Sequence, residues 1–316
     1  MAEPIITLTE FILQEERRLP NATGSFTLLL TQIENAAKII ASHIRRNGLV
    51  DMLGSVGTSN QYGDEVQKLD EFSNEILIRT LRESGQVYAI ASEELDEVLY
   101  IKDHDGKYAI FIDPLDGSSN IDTSITIGTI FSIYHKNKDV LQPGNKQVAA
   151  GYILYGTNVM FVYSSGRGVN GFTLDPSIGS FLLTHKNMRV PEEGKIYSVN
   201  EAYEKYYSPQ INNYLKDIKQ NKNFKSRYIG SMVADVHRTL LKGGIFLHTA
   251  NEKSPKGKLR LMFEVSPLAY IIDQAGGAIT TGKENPLDIE PQSISDQCPV
   301  VLGSKKNVEE YLSFMK

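Results

Sequence analysis

Ten consecutive residues carry the densest chemistry in the chain: Phe111-Ile112-Asp113-Pro114-Leu115-Asp116-Gly117-Ser118-Ser119-Asn120. The apolar lead-in reads as a strand that Pro114 stops, so Asp113 and Asp116 converge at its end. Their carboxylate oxygens are the ligands that hard divalent cations prefer. Gly117, Ser118 and Ser119 read as the opening of a helix or turn whose leading N–H groups face a phosphate. An isolated Asp-Pro-x-Asp is most often a solvated turn, but the full string is far more specific. Glu93 and Glu94 follow a second short apolar run, Val87–Ala91, and so have similar placing at a strand end.

A third element completes the set. Lys258 to Glu264 alternates apolar and polar residues, so as an extended segment it presents Lys258, Arg260 and Glu264 on one face and Leu259, Leu261 and Phe263 on the other. The cations suit phosphates and the acid suits a metal. Glu93, Asp113, Asp116 and Glu264 together form an acid cluster able to hold two or more Mg²⁺ for phosphate-ester hydrolysis. The metals would screen phosphate charge, acidify a water and stabilise the departing alkoxide. No Ser-His-Asp or Cys-His arrangement competes, and the six histidines show no zinc spacing.

The remaining sequence must position these groups. Thr7-Leu8-Thr9-Glu10 has capping-box spacing before apolar Phe11, Ile12 and Leu13, with Pro20 ending that helix. Leu30, Ile33, Ala37, Ile40 and Ile44 recur at helical spacing up to Gly48. A third helix runs from Leu69 to Glu83 and stops at Gly85. Before it, Leu53–Gln67 is rich in Gly, Ser, Thr and Asn and reads as a long loop. Strands follow at Val87–Ala91, Tyr108–Ile112, Ile125–Tyr134, Val148–Tyr155, Val159–Tyr163, Gly171–Leu174 and Phe181–Thr184, the last four as an antiparallel meander. Beyond a soft boundary at Met188–Gly194, strands are expected at Ile196–Val199, Ile245–His248 and Val300–Leu302. Helices are expected at Gln210–Lys219, Ser231–Leu241, around Ala269–Gln274, and at the C-terminus. Helices, then sheet, then alternation predict layered α/β structure in two parts, 1–188 and 189–316.

Bulk properties narrow the function further. The 316 residues carry a net charge of -5, against the basic face expected of a nucleic-acid binder. A single cysteine, Cys298, excludes an intrachain disulfide and fits a small packed residue in a reducing compartment. The uncharged Gln147–Gly166 is about the length of a membrane span, but Gly156-Thr157-Asn158 divides it into a strand hairpin. The N-terminus lacks the basic start and apolar run of a signal peptide, so a cytoplasmic protein is expected, without nucleic-acid or membrane partners.

The Asp-Pro-Leu-Asp-Gly-Ser-Ser string resembles the metal signature shared by inositol monophosphatases and fructose-1,6-bisphosphatases. Gly63–Asp70, Gly117–Asp122, Arg227–Arg238 and Asn251–Arg260 resemble class I fructose-1,6-bisphosphatases in particular, over about Thr7 to Gly277. The resemblance implies an α/β/α/β/α fold and hydrolysis of the 1-phosphate of fructose 1,6-bisphosphate by magnesium-activated water, in gluconeogenesis, with Mn²⁺ or Zn²⁺ as substitutes. It places metal ligands at Glu93, Asp113, Asp116, Glu264 and the Leu115 carbonyl. Glu94 and Asp70 would activate water, and Asp64 would act from a mobile loop. Substrate contacts would come from Asp116, Gly117, Ser118 and Ser119, with Arg260 at the 1-phosphate. Asn200, Tyr203, Tyr228 and Lys258 would take the 6-phosphate, with His248 where animal enzymes have tyrosine. Arg227 would reach a neighbouring subunit, implying an oligomer, usually a tetramer. An AMP site would fall on Thr23, Gly24, Thr27, Lys107 and Tyr108, but Ser25 replaces an acid and His135 an arginine. Sedoheptulose-1,7-bisphosphatase and dual-substrate activity fit the same cluster; a non-catalytic sugar-phosphate sensor is the reading from another class.

Overall fold

The computed structural model describes residues 5–18, 23–46 and 62–316, with side chains in the last segment from Leu69 onward. Helix α1 (Leu8–Glu16) opens with the expected capping box: Glu10 N–H bonds to Thr7 Oγ1, and Thr7 N–H to the Glu10 carboxylate. Helix α2 (Ser25–Ile44) buries Leu30, Ile33, Ala37 and Ile40, as their spacing requires. Pro20, Gly48 and the 53–61 part of the expected loop lie outside the described residues.

Helix α3 (Tyr62–Glu83) corrects the sequence reading, because 62–67 is helical rather than loop. The Gly-Asp pair near its start suppressed the helical pattern, while Val66, Leu69 and Phe72 carry it at spacing three. The helix ends where Gly85 adopts a positive φ of 66°, a conformation glycine reaches without a Cβ penalty.

An eight-stranded sheet follows: β1 (Val87–Ser92), β2 (Leu99–Tyr100), β3 (Tyr108–Asp116), β4 (Ile127–His135), β5 (Gln147–Tyr155), β6 (Val159–Ser164), β7 (Val169–Asp175) and β8 (Ser180–Met188). The spatial order is β2-β1-β3-β4-β5-β6-β7-β8. From β3 onward every pairing is antiparallel, and the β5–β8 meander is as expected. The β1–β3 pairing is parallel. Two details differ from expectation. Pro114 does not stop β3; the ladder becomes irregular between Asp113 and Asp116 and resumes at Gly128 of β4. Strand β2 carried no signal, being two exposed residues.

The rest builds a smaller sheet from β9 (Ile196–Ser198), β10 (Lys225–Ser226), β11 (Ile245–His248), β13 (Ala278–Thr280) and β15 (Val300–Gly303), in the order β10-β9-β11-β15-β13, plus a two-stranded pair, β12 (Leu259–Arg260) with β14 (Gln297–Cys298). The helices here are α4 (Pro209–Gln220), α5 (Met232–Lys242), α6 (Ser266–Gln274) and α7 (Lys305–Phe314). The expected extended run Lys258–Phe263 is corrected as well: only Leu259–Arg260 is strand, and Leu261–Val265 is a π-helical turn leading into α6.

Three apolar layers show how the elements stack. On β4, Phe131 points to α1–α3 while Ile130 points to α5 and α6, and both are fully buried. The α5–α6 layer packs its other side on Phe246, Val300 and Leu302 of the small sheet. That sheet's far face, with Ile245, Leu247 and Val301, is covered by α4 and α7. The order is therefore α/β/α/β/α. A strand buried on both faces can do without polar alternation, which is why β3 and β4 read as continuous apolar runs. The Gln147–Gly166 segment is the β5–β6 hairpin, and no helix among the described residues is long and apolar enough to cross a membrane.

The sheet's centre leaves no spare volume at Gly151. A Cβ there would come within 2.6 Å of Phe131 Cζ and of the Val162 carbonyl oxygen. Gly151→Ala is therefore expected to overpack the core by about 1–3 kcal/mol. Differential scanning calorimetry should show a Tm several degrees lower; an unchanged Tm would mean the layers have more slack than this packing implies.

Candidate active site

Parallel pairing of β1 with β3 sets Ser92 beside Ile112, so Glu93 and Asp113, the next residues on each strand, leave the sheet side by side. Glu93 N–H closes this step by bonding to the Ile112 carbonyl at 3.0 Å. The carboxyl ends of adjacent parallel strands are where open α/β sheets place ligands. Helix α3 is fastened to the same edge: Ser92 Oγ donates to Asn74 Oδ1 at 2.7 Å. Asp70, one turn before Asn74, shares that helix face and so looks onto the strand ends.

Asp113, Asp116 and Glu264 form the centre. All three are buried, and each offers a carboxylate oxygen within 4.8 Å of the others. Glu264 arrives through the π-turn and not by strand alternation. Its Oε2 accepts the Arg260 N–H at 2.6 Å, a bond that straight β geometry could not close over four residues. The Arg260 guanidinium reaches the other side of the cluster, with Nε 3.7 Å from Glu93 Oε1.

Asp116 is held most firmly. Its Oδ2 accepts Ser231 Oγ–H at 2.7 Å and Val233 N–H at 2.8 Å, and its Oδ1 accepts Met232 N–H at 3.3 Å. These are leading donors of α5, which have no partner within the helix, so the carboxylate caps it from another part of the chain. The sequence reading placed a helix here but missed this pairing. The only local sign was a serine directly before an apolar helical run.

Next to Asp116 the chain turns sharply. Gly117 has φ 79°, and a Cβ there would lie 2.6 Å from Ser231 Cβ. Only glycine fits both demands. The 3₁₀ turn Ser118–Thr123 follows, with Asn120 the first to bond back, to Gly117 O at 2.8 Å. The N–H groups of Ser118 and Ser119 precede that bond and lead the turn.

The electrostatics follow from crowding like charges away from water. Burial, then the charges of Glu93, Asp116 and Glu264, push the Asp113 carboxyl well above its usual range; the Leu115 N–H on Asp113 Oδ1, at 3.0 Å, works weakly the other way. Burial and the neighbouring Glu93 and Asp116 raise Glu264 likewise. Asp116 is raised by burial against the opposing pull of Val233 N–H and Ser231. Glu93 is raised by burial while Arg260 pulls it back. Asp70 is pushed to about 7 by burial and then by Glu94, with Ser118 opposing. A divalent cation fits these residues, because an all-oxygen donor set of close, desolvated carboxylates lacks only positive charge.

A second group lies along the same edge. Lys258 Nζ donates to Tyr203 OH at 2.8 Å, and burial raises the pKa of Tyr228, which the nearby Asn200 side chain opposes. His248 is half-buried with Nδ1 unpartnered among the described residues, and burial lowers its pKa. Arg227 is exposed and donates from Nη1 to the adjacent Ser226 carbonyl at 2.8 Å. The side chain of Asp64 lies outside the described residues. At the start of α2, Lys107 Nζ reaches Thr23 Oγ1 at 3.1 Å, while Gly24 N–H and the Thr27 hydroxyl both bond to Glu16. Tyr108 stacks on His135.

Comparison with known proteins agrees over the whole chain. Residues 6–186 match the fructose-1-6-bisphosphatase N-terminal domain, and residues 190–316 match its C-terminal domain. The chain is 54% identical to the class 1 fructose-1,6-bisphosphatase of Persephonella marina over all of both sequences. It is 46% identical to the cytosolic fructose-1,6-bisphosphatase of Brassica napus, covering 97% of this chain and 94% of that one. A crystal structure of Leishmania major fructose-1,6-bisphosphatase in holo form superposes with a TM-score of 0.90 at 38% identity, over 98% of this chain and 99% of that one.

The raised carboxyls make stability depend on pH. Each binds its proton more tightly in the folded chain than in the unfolded chain, so folding loses free energy as pH rises from the ordinary range near 3.8 towards the value of about 7 at Asp70. In chelator, the Tm should therefore fall between about pH 4 and 7, and added Mg²⁺ should restore it by an amount that grows with pH. Thermal unfolding over that range reads this directly. A magnesium effect independent of pH would mean that the cation binds elsewhere.

Proposed function

The chain belongs to the fructose-1,6-bisphosphatase family, and we propose that its acid cluster hydrolyses the 1-phosphate of fructose 1,6-bisphosphate. The products are fructose 6-phosphate and inorganic phosphate, in gluconeogenesis. The observation that carries the reading is the convergence of Asp113, Asp116 and Glu264 within 4.8 Å at the end of the parallel strand pair, beside Arg260.

In this reading Glu93, Asp113, Asp116, Glu264 and the Leu115 carbonyl hold Mg²⁺, two or more per subunit, with Mn²⁺ or Zn²⁺ able to substitute. Bound there, the metal offsets phosphate charge and makes a nucleophile available at neutral pH. The protein's own groups do the rest. Arg260 and the leading N–H groups of Gly117, Ser118 and Ser119 orient the 1-phosphate. Asp70 and Glu94 draw the proton from the attacking water; a carboxyl near 7 is matched to that task at physiological pH. Asn200, Tyr203, Tyr228, His248 and Lys258 anchor the 6-phosphate and fix which end reacts. Arg227, exposed and bonded to the Ser226 carbonyl, serves a neighbouring subunit in a tetramer. Asp64 acts from the start of α3, and the protein works in the cytosol.

Asp116→Ala should abolish magnesium-dependent phosphate release from fructose 1,6-bisphosphate by more than ~100-fold, beyond the 10–100-fold typical of losing only a ligand's hydrogen-bond partner. A colorimetric phosphate assay on folded protein tests this, and near-normal release by the variant would end the metal-cluster mechanism.

The start of α2 is the proposed AMP site, through Thr23, Gly24, Thr27, Lys107 and Tyr108. Its best donors already serve Glu16, and His135 stands where an arginine is expected. Millimolar AMP should therefore inhibit weakly in a titration at saturating substrate; half-inhibition at micromolar AMP would contradict this.

A further inference from the structure

One carboxylate outside the acid cluster is sealed from solvent completely. Asp235, in the first turn of α5, is 0% exposed. Four donor groups converge on it. Oδ1 accepts Ser198 Oγ–H at 2.8 Å and pairs with Arg238 at 2.8 Å. Oδ2 accepts the N–H groups of Ile229 and Gly230, each at 3.1 Å.

These donors belong to two segments that matter elsewhere. Ser198 ends β9, two residues before Asn200. Ile229 and Gly230 lie between Tyr228, which sits near the Asn200 side chain, and Ser231, which holds Asp116. A single buried anion therefore pins a short loop whose one end faces the second phosphate pocket and whose other end grips the acid cluster. Asn120 Nδ2, in the 3₁₀ turn after β3, braces the same loop, 3.5 Å from the Ile229 carbonyl.

We infer that Asp235 is a positioning residue that sets Ser231 on Asp116 and places Tyr228 beside Asn200, coupling the grip on metal to the grip on substrate. The inference rests on the proposed reaction. If Asp235 served only as the i,i+3 partner of Arg238, its removal would cost stability and leave substrate and metal affinity alone.

Asp235→Asn separates the two. The amide keeps the volume but supplies one acceptor and one donor. The Arg238 guanidinium, a charged donor, captures the amide oxygen, so the NH₂ group faces the Ile229 and Gly230 N–H groups and displaces the loop. The expected result is a rise of about tenfold in both KM for fructose 1,6-bisphosphate and the calorimetric Kd for Mn²⁺, the scale of losing a ligand's supporting bond. Arg238→Met alone should lower Tm but leave both constants. In Asp235→Asn/Arg238→Met the amide oxygen is free to turn to the loop, and both constants should return most of the way to wild type. A folded Asp235→Asn with wild-type KM and Mn²⁺ affinity would overturn the inference, as would a double variant no better than the single. If the wild-type protein releases no phosphate, the proposed reaction fails, while the Mn²⁺ isotherms still decide whether Asp235 positions Asp116.

Discussion

Three hydrogen bonds onto the Asp116 carboxylate join parts of the chain more than a hundred residues apart. On one side is the irregular end of β3; on the other is the start of α5, the helix sandwiched between the two sheets. A buried carboxylate without such partners would cost several kcal/mol. The free helix end would in turn leave N–H groups unsatisfied. Each defect cancels the other, so the layers meet in a single register. Gly117 records how tight the register is, since its neighbour across the joint is Ser231 itself.

The same joint explains how an acidic protein can handle a more acidic substrate. A net charge of -5 repels phosphate at long range. In the proposed reaction the chain would counter this locally with Arg260 and Lys258 on the approach and with backbone N–H groups in the 3₁₀ turn. The residual cost is mutual repulsion among Glu93, Asp113, Asp116 and Glu264, which the packing of β1, β3 and the π-turn holds in place. A rigid scaffold here is a condition of function, because carboxylates free to move would relax apart.

Much of this was legible in the sequence, and the pattern of what was not is physical. The capping box at Thr7–Glu10, the β5–β8 meander and the Asp113–Asn120 string are local codes, written within a few residues. Ser231 and Asp235 were overlooked because their partners are set by tertiary packing and leave no periodic trace. The π-turn at Leu261–Val265 was hidden because its polar and apolar residues also satisfy a strand's alternation. Pro114 misled in the opposite way: it does interrupt a ladder, but the chain continues through the irregularity and pairs again at Asp116. Strand β2 is too short and too exposed to announce itself.

The large sheet ends on one side in β2, two residues long, and on the other in β8. The middle of β8 is met by the segment before α1: Leu183 N–H bonds to the Ile6 carbonyl, and Thr7 bridges Leu182. Eight strands with mostly apolar faces would otherwise offer a long row of unpaired amides to any other extended chain. One margin is thus too brief to template a neighbour, and the other is partly paired before a neighbour can arrive. Resistance to edge-to-edge aggregation is then partly a property of Ile6 and Thr7, remote from the chemistry, and their loss would show in solubility before it showed in turnover.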